Sequence, residues 1–548
     1  MPLILRRTAG MTSVAIAGAG SACCVLAARV SEDPNVRVVV MEAGPDYPTL
    51  GDTPDDIRYA SRGPYVGSAH DWGYTAQDQA ERGDVPVCRG KVGGGSSSVN
   101  AAIALRARRS DFDHRASLGN DLWTWEQALP CFRRHEDDAV GGPDQDSVGP
   151  VPTRRFAEQE LRPLMACIFA ACAENGFPVV DDLNTADARG AGVVPINLVA
   201  GIRQSTAKCY LKGARQRPNL ETRPRVVVDR VLIEDGVARG VVLDNGEWVD
   251  ADLVVLSAVA IGSPAMLLRS GVGPAADLRQ HGLPVLADLP AVVQGLQDQP
   301  VVFLTYEADP AAIGDVTIPQ QVIVTSSSTG NQETGPIDLH FISRAEDAMF
   351  LTVAVGLLTP MSLGWVRLWS SKPADAPRIL LNQLDHPEDM RRMLRRLAMA
   401  RELFSAPTLR KYVRNEVLPG PRVDDIAALV RAAQQPKLSY AHATSTRSMG
   451  PDGAPWAVTD QRGRVRGVDA LFTVDASIML AIPASRPISR RSCVGNAAPF
   501  LSRRRLRDGP RSGRGTGPVT ALSRQRRRMS RPGCVSGRVG KSRVGDEP

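Results

Sequence analysis

The 548-residue chain has no apolar run long enough to cross a bilayer, no cysteine pair at redox or metal-site spacing, and no internal repeat. A spanning helix needs about 18 to 20 consecutive apolar residues, so no membrane span is expected. The nine cysteines (Cys23, Cys24, Cys88, Cys131, Cys167, Cys172, Cys209, Cys493, Cys534) are odd in number and scattered, with no C-x-x-C pair. That usage fits reduced thiols in a cytoplasmic protein and argues against a disulfide frame or a zinc site; no metal is expected. Nor is the net charge of +7 a property of the whole chain. Residues 501–548 hold 14 Arg and Lys against three acids, a surplus of 11, which leaves the first 500 residues at −4. The basic stretches "SRRRLRDGPRSGRG" and "SRQRRRMSRPG" have the look of an RNA-binding tail, but no aromatic residue follows Phe500. Single-strand binding relies on stacking as well as phosphate contacts, so nucleic acid is not the expected partner.

What is present is enough apolar sequence, 43%, for a large core shared by two packed domains. The start, "MPLILRRTAGMTSVAIAGAGSACCVLAA", imitates a secretory signal, yet the same run reads better as a nucleotide site. An apolar strand at Val14–Ala17 enters a glycine turn, a helix starts near Ser21, and a second strand, Val36–Met41, ends at Glu42. Gly18 permits the tight turn, and Gly20 lets a pyrophosphate approach the backbone. The helix directs free N–H groups and its positive end at the phosphates. Glu42 stands where an acid accepts the hydroxyl protons of an adenosine ribose. Cys23 occupies the place of the usual third glycine, and its thiol is expected to weaken binding without abolishing it.

Further along, "CRGKVGGGSSSVNAAIALRARRSDFD" puts a glycine and serine loop, Gly93–Ser98, ahead of Asn100 and an apolar, helix-like segment. A loop so poor in side chains lets backbone approach a large ligand. Here the chain resembles the glucose–methanol–choline (GMC) oxidoreductases, flavoproteins that oxidise alcohols with FAD. The supporting stretches follow in order: "HDWGYTAQDQ", "GIRQSTAKCYL", "RVVVDRVLIEDGVARGVVL", "LSAVAIGSPAMLLRSGVGP", "HATSTRSMG" and "RVRGVDALFTVDASIM". The resemblance implies that Gly18, Gly20, Ser21 and Glu42 hold the pyrophosphate and ribose. It places Val92 and Asn100 against the flavin half and Val228 at the adenine end. Asp475 and Ala476 would mark a late return of the chain to the cofactor.

Of seven histidines only His442 lies in a motif, "YAHATSTRSMG". The resemblance makes it the catalytic base, and imidazole suits that role because it titrates near neutrality. The family also uses a second His or Asn, which here should fall within Ser485–Ile488, "SRPI", where neither residue type is found. Codons can be chosen for Pro483–Cys493 that, read two nucleotides on, give G-E-Q-A-N-L-A-T-V-M, with an Asn ahead of a Thr. Residues after Ala484 are therefore expected to be out-of-frame translation that displaced the native ending, and to contribute no packing. Smaller departures are Gln299 for the usual His after "LQD", Leu480 for a proline, and Leu363 and Trp365 within "LTPMSLGWVRLWS".

The expected fold class is α/β, α+β overall, with a discontinuous Rossmann-like FAD-binding domain built from 11–155, 195–295 and 440–483. A helical insert (156–194) and a substrate domain (296–439) with an antiparallel sheet backed by helices complete it, followed by the basic tail, 484–548. The expected function is FAD-dependent oxidation of a small-molecule alcohol, choline-like or another primary alcohol. The motifs leave oxygen or another electron acceptor open. The alternative is a catalytically impaired relative that keeps the flavoprotein fold.

Overall fold

The computed structural model describes residues 11–484, apart from 61–66, 78–83, 139–141, 143, 315, 317, 330, 332–333, 346–348, 421–422 and 424–438. The basic tail beyond Ala484 and the Ser485–Ile488 window lie outside the described residues.

Strand Thr12–Ala17 is buried on both faces from Val14 onward, as a central strand of a covered parallel sheet must be. Its side chains alternate between two cores. Val14 and Ile16 pack with helix Ser21–Val30, while Ala15 and Ala17 face helix Val259–Arg269 and a three-stranded meander, residues 228–250. Five parallel strands form this sheet in the order Leu220–Pro224, Val36–Glu42, Thr12–Ala17, Leu253–Leu256, Leu471–Thr473. Connections leave the first strand toward opposite sides, so a crevice opens at its carboxyl end beside Leu256, the usual ligand position in such sheets. The last strand is locked by a buried ion pair, Arg447 to Asp475 at 3.1 Å, both side chains almost fully enclosed.

The second sheet is antiparallel, in the order Val413–Leu418, Val301–Ala308, Phe350–Leu357, Ile337–Ala345, Gln320–Ser327, Gly190–Val193. One face is backed by helices Pro163–Glu174 and Pro387–Phe404, through Leu164, Ile168, Met393, Leu397 and Phe404. The other face, with Val301, Ile323 and Ile342, covers Ala102, Ile103 and Leu105 and packs on Tyr440. The 156–194 segment thus supplies both a backing helix and an edge strand of this sheet.

One local expectation fails. The segment after Asn100 is irregular, with Ala102 at φ +53°, and the first helix there is Arg109–Ser117. Its backbone bonds go to distant partners, Ala104 N–H to Pro195 O (2.8 Å) and Arg106 N–H to the Asn184 side chain (2.8 Å), instead of to the preceding turn. Tertiary pairing overrides the helix preference of Ala and Leu. No helix among the described residues is long and apolar enough to cross a membrane.

Candidate active site

Gly18 sits at φ +97°, and a Cβ there would lie 2.8 Å from Ser257 O. Both the left-handed backbone and the crowding require glycine at this turn. Gly20 differs: among the described residues, the only atom near its hypothetical Cβ is Ser257 O, at an ordinary 3.5 Å. The fold leaves room beside Gly20, which is what a ligand approaching the backbone needs. Gly20, at the N-terminus of the helix that begins at Ser21, offers no capping side chain. The Gly93–Ser98 loop leans on this turn: Gly94 N–H donates to Ala19 O at 2.8 Å, and a Cβ on Gly95 would meet Gly20 Cα at 2.8 Å.

Glu42 ends its strand with a 7% exposed carboxylate that accepts Ala19 N–H (2.8 Å) and Gly44 N–H (2.9 Å). Burial pushes this carboxyl up to about 7, against the two amide bonds that favour its ionised form.

These groups open on a cavity of about 730 Å³, within the ~300 to 1,000 Å³ usual for ligand sites. Gly18, Gly20, Ser21, Glu42 and Val228 line it, as do Tyr74, Arg89, Ser257 and Arg269; a loop from the substrate half, Lys372–Pro377, closes one side. Arg89 is buried, and its Nε and Nη2 have no hydrogen-bond partner among the described residues. Asn100 accepts Ala102 N–H at 2.9 Å, while its buried Nδ2 likewise lacks a partner. Unpaired buried donors are costly, so these are positions where a bound group with acceptors would complete the structure. An FAD, with phosphate oxygens, ribose hydroxyls and flavin carbonyls, fits the unpaired Arg89 donors, the open Gly20 and the cavity's size.

Val92, Asn100, Asp475, Ala476 and His442 do not line that cavity. Val92 packs with Ile57 and Val99. Asp475 stands behind the wall: it accepts Val259 N–H and Ser263 Oγ–H, each at 2.9 Å, and pairs with Arg447. Ala476 is fully buried and accepts Ser445 N–H at 3.3 Å. Cys23 is fully buried in the core beneath the helix, where burial raises its thiol well above the usual range.

His442 lies deeper, 6% exposed, with its ring stacked on Tyr440 at 5.3 Å and 17°. Its N–H donates to Asp298 Oδ1 at 2.8 Å, and its ring Nδ1 is 2.6 Å from Gln299 Oε1. Asp298 also accepts Gln299 N–H and the Ser439 hydroxyl; burial raises its carboxyl above the ordinary value. Arg89 joins the two places, since it lines the cavity and donates from Nη1 to the carbonyl of Ala441, next to His442. Sequence reasoning misses Arg89, Asp298 and Tyr440, although Arg89 is the second residue of the glycine-loop motif "CRGK". No cluster of three or more metal-ligating side chains occurs among the described residues.

This is the arrangement of a dinucleotide-binding fold with a buried histidine tied through Arg89 to the cavity wall. The profiles of the GMC oxidoreductase family match residues 13–301 and 360–489. An uncharacterised GMC-type oxidoreductase of Rhodococcus erythropolis is 34% identical over 86% of this chain and 94% of that protein. An oxygen-dependent choline dehydrogenase of Photobacterium profundum is 31% identical over 85% of this chain and 89% of its own length. The crystal structure of pyridoxine 4-oxidase from Mesorbium loti superposes with a TM-score of 0.83 at 28% identity, covering 90% of this chain and 99% of that one. The chain belongs to the GMC oxidoreductase family. It is an FAD-dependent oxidoreductase acting on CH–OH donors.

Proposed function

We propose that the protein oxidises a primary alcohol, choline-like or of comparable size, to the aldehyde, with His442 as the base. The observation that carries this reading is the tie made by Arg89, a wall of the cofactor cavity that also holds the peptide preceding His442. The relatives named for choline and for pyridoxine support small alcohols as the substrate class.

When bound, FAD supplies the hydride acceptor at flavin N5. Gly18, Gly20, Ser21 and Glu42 would hold its pyrophosphate and ribose and Val228 would border the adenine end; Asn100, Val92, Asp475 and Ala476 would support the site from outside that cavity. His442 takes the hydroxyl proton as the alcohol's carbon loses hydride and its C–O bond becomes C=O. Tyr440 stacks on the imidazole of a residue only 6% exposed, which keeps most water away from the base.

Replacing His442 with Ala should lower the rate of anaerobic flavin bleaching by alcohol about 10²- to 10⁴-fold while the purified protein stays yellow. Rapid bleaching left unchanged by the substitution would remove His442 from the mechanism. The second reading, a catalytically impaired relative, is favoured by the absence of His or Asn from Ser485–Ile488. It requires retained FAD with bleaching as slow in the parent chain as in the His442→Ala variant.

A further inference from the structure

We infer that Gln299 is a positioning residue that holds the His442 ring in the tautomer with hydrogen on Nδ1, making Nε2 the proton acceptor. This rests on the reading of His442 as the base.

Gln299 is completely buried. Its Nε2 is 2.9 Å from Leu358 O and 2.8 Å from Pro483 O, and both carbonyls can only accept. Turning the amide over would set Oε1 against two carbonyl oxygens, so its orientation is determined by its surroundings. Oε1 then faces His442 Nδ1 at 2.6 Å and carries no hydrogen. The hydrogen between them therefore belongs to Nδ1. In a neutral imidazole the other nitrogen, Nε2, keeps the lone pair.

Other contacts keep the ring in that pose. Asp298 Oδ1 accepts the backbone N–H of both Gln299 (2.9 Å) and His442 (2.8 Å), so the two residues share one anchor. Tyr440 stacks on the imidazole, and Arg89 grips the Ala441 carbonyl. A carboxylate at position 299 would choose the same tautomer but would also stabilise the imidazolium and raise its pKa. A neutral amide orients the ring while leaving it a weaker base that returns its proton readily. Among the described residues, the charged groups that face this segment include Asp298, at the His442 backbone, and Arg89, at the preceding carbonyl.

The 548-residue protein with bound FAD, labelled with ¹⁵N in its histidine rings, tests this directly. The His442 signals, identified by their loss in His442→Asn, should show a pyrrole-type Nδ1 and a pyridine-type Nε2 at neutral pH. The opposite pattern would overturn the inference whatever the kinetics. In Gln299→Leu the Nδ1–H preference should disappear, and alcohol-driven flavin bleaching should slow at least about tenfold with FAD retention unchanged. Gln299→Glu should restore the tautomer and move the pH midpoint of bleaching upward by about one unit or more. An unaltered tautomer in Gln299→Leu would also overturn the inference. If instead His442→Ala bleaches like the parent, the base assignment fails while the ring signals still decide the role of Gln299.

Discussion

At the scale of single residues, Glu42 carries a charge whose cost the cofactor can offset. Its carboxyl, ordinarily near 4.5, lies at about 7 in the cofactor-free fold because burial outweighs two amide bonds. Relative to the unfolded chain, its contribution favours folding below about pH 4.5 and fades as pH climbs through 7. A ribose hydroxyl donates more strongly to the ionised form, so FAD retention has the opposite trend. It should strengthen by up to about tenfold per pH unit from acid toward 7 and level off above. Equilibrium titration of the cofactor-free protein with FAD checks this, and Glu42→Gln should bind more weakly with a flat profile. A slope that survives in Glu42→Gln would assign the pH dependence to another group.

At the scale of elements, the turn between the first strand and its helix separates two uses of glycine. Gly18→Ala meets both a positive φ and the Ser257 carbonyl; strain of about 1 to 3 kcal/mol should lower the melting temperature even without cofactor. Gly20 has φ −70° and, among the described residues, no atom closer than ordinary contact. Gly20→Ala should therefore leave the cofactor-free protein nearly as stable as the parent while weakening FAD binding at least tenfold. Equal losses of stability in both variants would mean that Gly20 serves the fold alone. The strand, turn and helix of this unit were legible in the sequence because apolar spacing, glycines and a terminal acid agree within thirty residues. The stretch after Asn100 misled because its composition favours helix while its partners, Pro195 and Asn184, lie far away in the chain. The same distance hid the setting of His442. The motif marks the histidine, but what Gln299 does depends on Leu358 and Pro483, which no local pattern brings together.

At the scale of the molecule, the last described residues are stitched into the site: Ile482 N–H donates to the Gln297 side chain and Ala484 N–H to Asp111, each at 2.8 Å, and Pro483 O accepts from Gln299. If the chain beyond Ala484 is out of frame, restoring the ending G-E-Q-A-N-L-A-T-V-M should add an Asn near His442. It should also raise both the melting temperature and the rate of flavin bleaching. The nucleotide sequence across codons 478–500 is the direct check, and equal activity of the two forms would make the arginine-rich segment a functional element in its own right. The nucleotide-binding sheet itself has a further implication for how the protein is made. Strand Leu253–Leu256 receives its outer neighbour, Leu471–Thr473, only after roughly 215 more residues have been added. At about 5 to 20 residues per second, the nascent chain carries a bare, apolar parallel edge for roughly 10 to 40 s. Such an edge pairs readily with other chains. Yield in the cell should accordingly respond to translation speed and chaperone supply more than to the stability of the finished enzyme.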